Sequence, residues 1–178
     1  MGYLKKFLFR VSRIKMLGMF VGFVFTHFPF LIPIRKIEQT KKAVSMPHPV
    51  AVYPNHVLIV LRKLARTIFY LSADDFVEVI EMAIKIRHGD DRDFVLWING
   101  GNRQDVMQAH FHLFTGNMIV EKGLSKNAER TFLPSDKGFW EYTVTNMSSL
   151  LKENGASESS FSMFIQFAKG ENPSVYFV

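Results

Sequence analysis

The chain has 178 residues, which is about the size of one domain and is enough to bury a core without disulfides or metals. It contains no cysteine, which excludes a disulfide scaffold, a thiolate metal site and sulfur redox chemistry. The formal net charge is +6, but seven positive residues precede the first acidic residue, Glu38, so residues 37–178 carry a net charge of −1. The body of the protein is therefore not a basic surface, and we expect no nucleic-acid partner.

Residues 1–34 form a basic stretch followed by an apolar run from Met16 to Ile34, which glycines and prolines interrupt. A membrane-spanning helix needs about 20 predominantly apolar residues, and two prolines fall in the last third of this run. No small-residue cleavage site of a signal peptide follows it. We therefore predict an N-terminal helical arm that packs against the domain of a cytoplasmic protein. A helix on a membrane surface and a membrane anchor are the alternatives.

The hydrophobic periodicity predicts an α+β fold. The first helix, over residues 73–87, follows Ser72 and Asp75, which have the form of a capping box, and its apolar residues recur at the helical period. The other predicted elements, in chain order, are a hairpin over 35–49, a strand over 56–61, a strand over 94–98, a glycine turn over 99–102, a strand over 106–114, a helix over 137–152 and strands over 160–168 and 174–178. We expect an antiparallel sheet of about five strands covered by the first helix.

The end of the chain repeats the pattern of the middle. Residues 66–76 are similar to residues 130–139, and each stretch is followed by a helix, a strand, a glycine turn and a strand. The second copy holds no histidine, so it cannot carry the same chemistry. We predict a basic and apolar arm over 1–34, a catalytic core over 35–116, and a helix-hairpin extension over 117–178 that is a candidate degenerate half-repeat.

The strand over 106–114 alternates Gln108, His110 and His112 with apolar residues. Side chains of a strand point to opposite faces in turn, so this pattern places one amide and two imidazoles on one face. Such a pair of histidines is also typical of a half-exposed polar face. It can also hold a metal ion, with a third ligand from His56, Asp105 or Glu121.

Just upstream, the stretch from Asn99 to Gln104 contains Gly100 and Gly101. Glycine permits tight turns and close approach of the backbone to a ligand. The backbone amides of this turn are therefore candidates for contacts with a phosphate.

Residues 98–113 resemble the signature of the histidine-triad (HIT) superfamily, with a strand that ends in Asn, a glycine turn, and a glutamine two residues before a valine that leads into alternating histidines. Residues 53–63 are similar to the family's proline-x-histidine strand with basic residues after it. The resemblance covers roughly residues 22–116. It is closest to bacterial-type members with a basic arm and a Gln-x-His-Phe-His ending.

The resemblance implies a HIT-like fold and a metal-free, cofactor-free reaction at the α-phosphate of a nucleotide. His110 would be the nucleophile that forms a nucleotidyl-histidine intermediate. His112 would be the last histidine of the triad, and His56 would hold ring orientation. The implied contacts of the active-site histidine and the phosphate come from Asn99, Gly100, Gly101, Gln104 and Asp105. A nucleotide substrate and a homodimer are the expected partners, the latter as an open alternative.

Two residues depart from the family pattern. Gln108 stands where the first histidine is usual, and an amide cannot gain a proton. Asp105 stands where a small hydroxyl residue is common, and its carboxylate would repel an anionic substrate unless it pairs with Arg103 or donates a proton to the leaving group. From the sequence we expect Gln108→His to raise hydrolysis.

The predicted function is therefore a nucleotide-binding hydrolase or nucleotidyl transferase of the phosphoramidase or dinucleoside polyphosphate hydrolase type. Two alternatives remain open at this point. One is a nucleotide sensor with little turnover, and the other is a metal-dependent hydrolase built on His110, His112 and an acidic residue.

Overall fold

The computed structural model of the protein describes Val24 and residues 36–48, 51–88, 90–104, 108–117, 130–131 and 136–178. Apart from Val24, the predicted arm over 1–34 lies outside the described residues, and so do Asp105 and Glu121. None of the helices in the described part has the length and apolar character needed to cross a membrane. The expectations for the arm and for Asp105 therefore stay predictions.

The described residues form one antiparallel sheet of seven strands in the order β1-β2-β4-β3-β6-β7-β5. The strands are β1 (Ala43–Pro47), β2 (Val57–Leu61), β3 (Phe94–Gly101), β4 (His110–Thr115), β5 (Arg130–Thr131), β6 (Ser160–Phe167) and β7 (Ser174–Phe177). The α+β class and the antiparallel sheet are confirmed. The sheet exceeds the expected five strands because the C-terminal hairpin β6–β7 pairs with the edge of β3, where it continues the sheet and adds the short β5.

Three α-helices accompany this sheet in the described part: α1 (Ala73–Arg87), α2 (Lys137–Thr145) and α3 (Met147–Glu153). The capping box of α1 is present, since the Ser72 hydroxyl accepts from the Asp75 amide and the Asp75 carboxylate accepts from the Ser72 amide at 2.7 Å. The single helix predicted over 137–152 is instead two helices. Asn146 separates them because its backbone leaves helical angles and its side-chain amide bonds the Tyr142 carbonyl at 2.9 Å.

The core lies between one face of the sheet and the helices. Phe76 of α1 stacks on Trp140 of α2 with ring centroids 4.6 Å apart, and it meets the edge of Phe111 of β4 at 5.8 Å. Because Phe111 points into this core, His110 and His112 on either side of it point to the opposite face of β4. The helices thus leave the other face of the sheet for the histidines.

Gly100 and Gly101 belong to β3, so the turn predicted over 99–102 begins later than expected, at Asn102. They pair with Phe161 and Ser160 of β6. A Cβ on Gly100 would lie 2.1 Å from the Phe161 ring, and Gly101 has a φ of +59°. These two glycines therefore let β6 approach β3, which is a packing reason for their presence.

We expect Gly100→Ala to lower the free energy of unfolding by about 1–3 kcal/mol, because the added methyl group displaces the buried Phe161 ring. The matched control is Gly138→Ala in α2, where the nearest atom to the added Cβ is at 3.4 Å and alanine favours the helix. Urea unfolding of both variants checks this expectation. Equal stability of the Gly100→Ala variant and the unsubstituted protein would contradict the packing role.

Candidate active site

The strand register brings the histidines together. His112 on β4 lies opposite Leu58 of β2 and Trp97 of β3. His56 directly precedes β2, and the backbone amide of His48, after β1, donates to the His56 carbonyl at 2.9 Å. The ring centroids of His110 and His112 are 4.9 Å apart, and those of His56 and His112 are 5.2 Å apart. We refer to His48, His56, His110 and His112 as the histidine cluster.

A chain of hydrogen bonds fixes the protons of two of these rings. The Val52 amide donates to Nδ1 of His56 at 3.4 Å, so the proton of a neutral His56 lies on Nε2. That nitrogen is 3.0 Å from Nδ1 of His112, which must therefore accept. The proton of His112 then lies on its Nε2, and this nitrogen is a hydrogen-bond donor.

Burial keeps both rings neutral. It lowers the pKa of His56 to about 4, with a further contribution from the charge of a protonated His48. Burial is also the main cause that holds the pKa of His112 well below its ordinary value, followed by the proximity of His110 and the other two histidines. At pH 7 both imidazoles are therefore neutral, and Nε2 of His56 donates its proton to Nδ1 of His112. We call this hydrogen-bonded pair the relay.

His110 has the opposite tautomer. Its Nδ1 lies 2.8 Å from the backbone carbonyl of Gln108, and a carbonyl oxygen can only accept. In the neutral ring the proton is therefore on Nδ1, and the lone pair is on Nε2. A neutral imidazole with a defined lone pair is a competent nucleophile near pH 7.

In the structure the Gln108 side chain is hydrogen-bonded to the backbone of residues 63–65. Strand β4 begins at His110, whereas the sequence predicted it from 106, and residues 105–107 lie outside the described residues. Gln108 is only 2% exposed, accepts from the Ala65 amide at 3.4 Å and donates to the Lys63 carbonyl at 3.0 Å. Both ends of its amide thus hold the 63–65 backbone, which removes the basis for expecting faster hydrolysis from Gln108→His.

Asn99 lies on the same face of β3 as Trp97, whose indole stacks on His112 with ring centroids 4.6 Å apart. The Asn99 oxygen accepts from the Trp97 indole at 2.8 Å and from the Ser162 hydroxyl at 2.7 Å. Its NH2 group is therefore the part of the amide that can serve a ligand. Gln104, which the sequence predicts to contact a phosphate, donates to the Arg66 carbonyl at 2.6 Å. Its side chain therefore holds the same loop as that of Gln108.

Sequence reasoning missed three residues of the site. His48 stacks on His56 with ring centroids 4.1 Å apart and planes at 6°, while Trp97 and Ser162 contact His112 and Asn99 as described above. Trp97 and Asn99 are two residues apart on a predicted strand, so the sequence alone could have placed their side chains on one face. No local pattern marks His48 or Ser162, because their contacts depend on strand pairing.

The nitrogens of His48, His56 and His112 lie within 4.8 Å of one another, which is the spacing of a candidate metal site. A metal ion binds an imidazole nitrogen along its lone pair, in the plane of the ring. The parallel planes of His48 and His56 cannot both contain one ion, and the His56–His112 hydrogen bond already uses the facing nitrogens. The observed geometry favours the relay, and a metal would require the His48 ring to turn.

No protein-family model matches the sequence, and no curated protein matches it. Among solved structures, the chain is similar to yeast Ap4A phosphorylase Apa2 in complex with Ap4A, with a TM-score of 0.56, 12% identity and coverage of 88% of this chain and 63% of that one. The same enzyme in complex with AMP gives a TM-score of 0.54 and 12% identity, with coverage of 90% and 64%. A HIT family hydrolase from Legionella pneumophila gives a TM-score of 0.44 and 21% identity, with coverage of 53% and 92%.

The chain shares its fold with the yeast phosphorylase structures. That this fold is HIT-like is what the sequence resemblance implies. The chain spans a little under two thirds of the length of the yeast phosphorylase. At these identities the likeness concerns the fold, so the chemistry has to be argued from the residues of the site.

We expect Gln108→Glu to lower the free energy of unfolding by about 1–3 kcal/mol, because a carboxylate cannot donate to the Lys63 carbonyl and would be buried. The control is Gln39→Glu, where the exposed side chain only accepts from Arg62 and glutamate can still accept. Denaturant unfolding at pH 7 measures both variants. A loss no larger than that of Gln39→Glu would show that the amide does not hold the 63–65 loop.

Proposed function

We propose that the protein binds a nucleotide and reacts at its α-phosphate through His110. The observation that carries this proposal is the 2.8 Å bond between Nδ1 of His110 and the Gln108 carbonyl, because in the neutral form of the ring it places the lone pair on Nε2. The fold shared with the yeast phosphorylase complexes that hold Ap4A and AMP is consistent with a nucleotide ligand.

In the proposed reaction, Nε2 of His110 attacks the α-phosphorus, a new N–P bond forms, and the bond from phosphorus to the leaving group breaks. The ring gains positive charge in this step, and the Gln108 carbonyl stabilises that charge through the proton on Nδ1. Water then cleaves the N–P bond to release the nucleotide, or a phosphate acceptor takes the nucleotidyl group.

We infer that two groups stabilise the charge on the phosphoryl oxygens. Nε2–H of His112 is a donor on the same strand face as His110, held by the His56 bond. The second donor is the NH2 group of Asn99, which lies on β3 two residues beyond Trp97, the partner of His112. The phosphate contacts of Gly100, Gly101, Gln104 and Asp105, a cytoplasmic location, membrane contact by the arm and a homodimer stay predictions.

A nucleotide sensor with slow turnover is the second candidate. It is favoured by one observation: the amides of Gln104 and Gln108 are both engaged with the 63–66 backbone. Fewer side-chain donors are then available to a phosphate, which would weaken stabilisation of the transition state more than binding.

We expect His110→Ala to lower kcat for an adenosine phosphoramidate by at least about a thousandfold while the affinity for AMP stays within a few-fold, because the residue supplies the attacking atom. Intact-mass spectrometry after rapid quench should find adenylate on the unsubstituted protein and none on the variant. The matched control is His88→Ala, an exposed histidine after α1.

The outcomes separate the candidates. A near-normal kcat for His110→Ala would refute His110 as the nucleophile. AMP binding without an adenylated species or turnover would favour the sensor. Loss of turnover on chelation would instead support the metal-dependent hydrolase.

A further inference from the structure

The C-terminal half mirrors the catalytic half. Outward from the β3–β6 pair, the sheet continues through β4 and β2 on one side and through β7 and β5 on the other. The starts of α1 and α2 are 64 residues apart, and so are the starts of β4 and β7. Both helices are capped by the residue before them, Ser72 and Asp136. This half has no histidine, so any part it takes in the reaction must come through other residues.

Strand β6 of the C-terminal half reaches the candidate site at Ser162, which pairs with Asn99 in the sheet. Ser162 is 3% exposed, and its hydroxyl lies 2.7 Å from the Asn99 oxygen. Nη1 of Arg103 lies 3.2 Å from the same hydroxyl, and because a guanidinium can only donate, the hydroxyl proton is directed to Asn99. Arg103 also donates to the Val178 carbonyl at 3.0 Å, which ties it to the C-terminal half.

The orientation of the Asn99 amide follows from its partners. The Trp97 indole can only donate, so the Asn99 atom 2.8 Å away is the oxygen. With two donors on that oxygen, the amide is held against rotation and the NH2 group is its outward donor. Trp97 also stacks on His112, so the same network connects the amide to the relay.

We propose that Ser162 is a positioning residue, supplied by the histidine-free half, that holds Asn99 as the donor to a phosphoryl oxygen. This inference rests on the proposed function. It assigns the C-terminal half a part in the reaction that the histidines alone do not show.

The test compares Ser162→Ala with Ser174→Ala, an equally buried serine on β7. We expect Ser162→Ala to lower kcat/KM for an adenosine phosphoramidate about tenfold, mainly through kcat, because one neutral hydrogen bond is lost and the contact it supports strengthens in the transition state. Ser162→Thr should restore most of the loss. The Trp97 indole N–H signal in a proton–nitrogen NMR spectrum should move in Ser162→Ala and not in Ser174→Ala, since the indole and Ser162 share one acceptor.

A double-mutant cycle separates positioning from packing. In an Asn99→Ala background, Ser162→Ala should cause no further loss of kcat/KM, whereas a packing role would cause the same loss in both backgrounds. Ser162→Cys, which keeps the size but donates weakly, replaces the alanine variant if that variant unfolds. An unchanged kcat/KM or indole signal would overturn the role of Ser162, and wild-type protein that neither binds AMP nor turns over any donor would overturn the proposed function and this role together.

Discussion

The hydrogen bond between Nε2 of His56 and Nδ1 of His112 is the interaction on which the candidate site depends. Each imidazole has one donor and one acceptor when neutral, so this bond couples the tautomer of His112 to the Val52 amide at the far side of His56. Burial lowers the pKa of both rings, so neither ring takes the second proton that would remove this coupling. As a result, Nε2 of His112 is a donor of fixed direction on the same strand face as His110. In neutral His110 the Gln108 carbonyl holds the proton on the other nitrogen, Nδ1.

The sheet supplies this arrangement from both sides. Pairing of β2 and β3 with β4 sets His56 and Trp97 against His112, while the helices cover the other face. Pairing of β6 with β3 then adds residues that the histidine-bearing half lacks. The close approach at Gly100 and Gly101 is the condition for that pairing. A packing requirement and a chemical requirement therefore meet in the same short stretch of β3.

Features specified by local sequence could be predicted, and features specified by distant partners could not. The bounds of α1 followed from its apolar period and capping box, and the histidine face followed from strand alternation. The glycine stretch was predicted as a turn because its true partner, β6, lies about 60 residues away. The hydrogen bonds of the Gln108 amide to the 63–65 backbone and the stacking of His48 on His56 have no local signal, because the partners are distant in sequence or joined by strand pairing.

The most direct test of the account is the protonation state of the imidazole nitrogens at pH 7, measured by proton–nitrogen correlation NMR on the nitrogen-labelled full chain and assigned with single-histidine variants. We predict neutral rings with the proton on Nε2 in His56 and His112, a pKa of about 4 for His56, and the proton on Nδ1 in the neutral form of His110. A neutral His110 with its proton on Nε2, or a charged His112 at pH 7, would contradict this prediction.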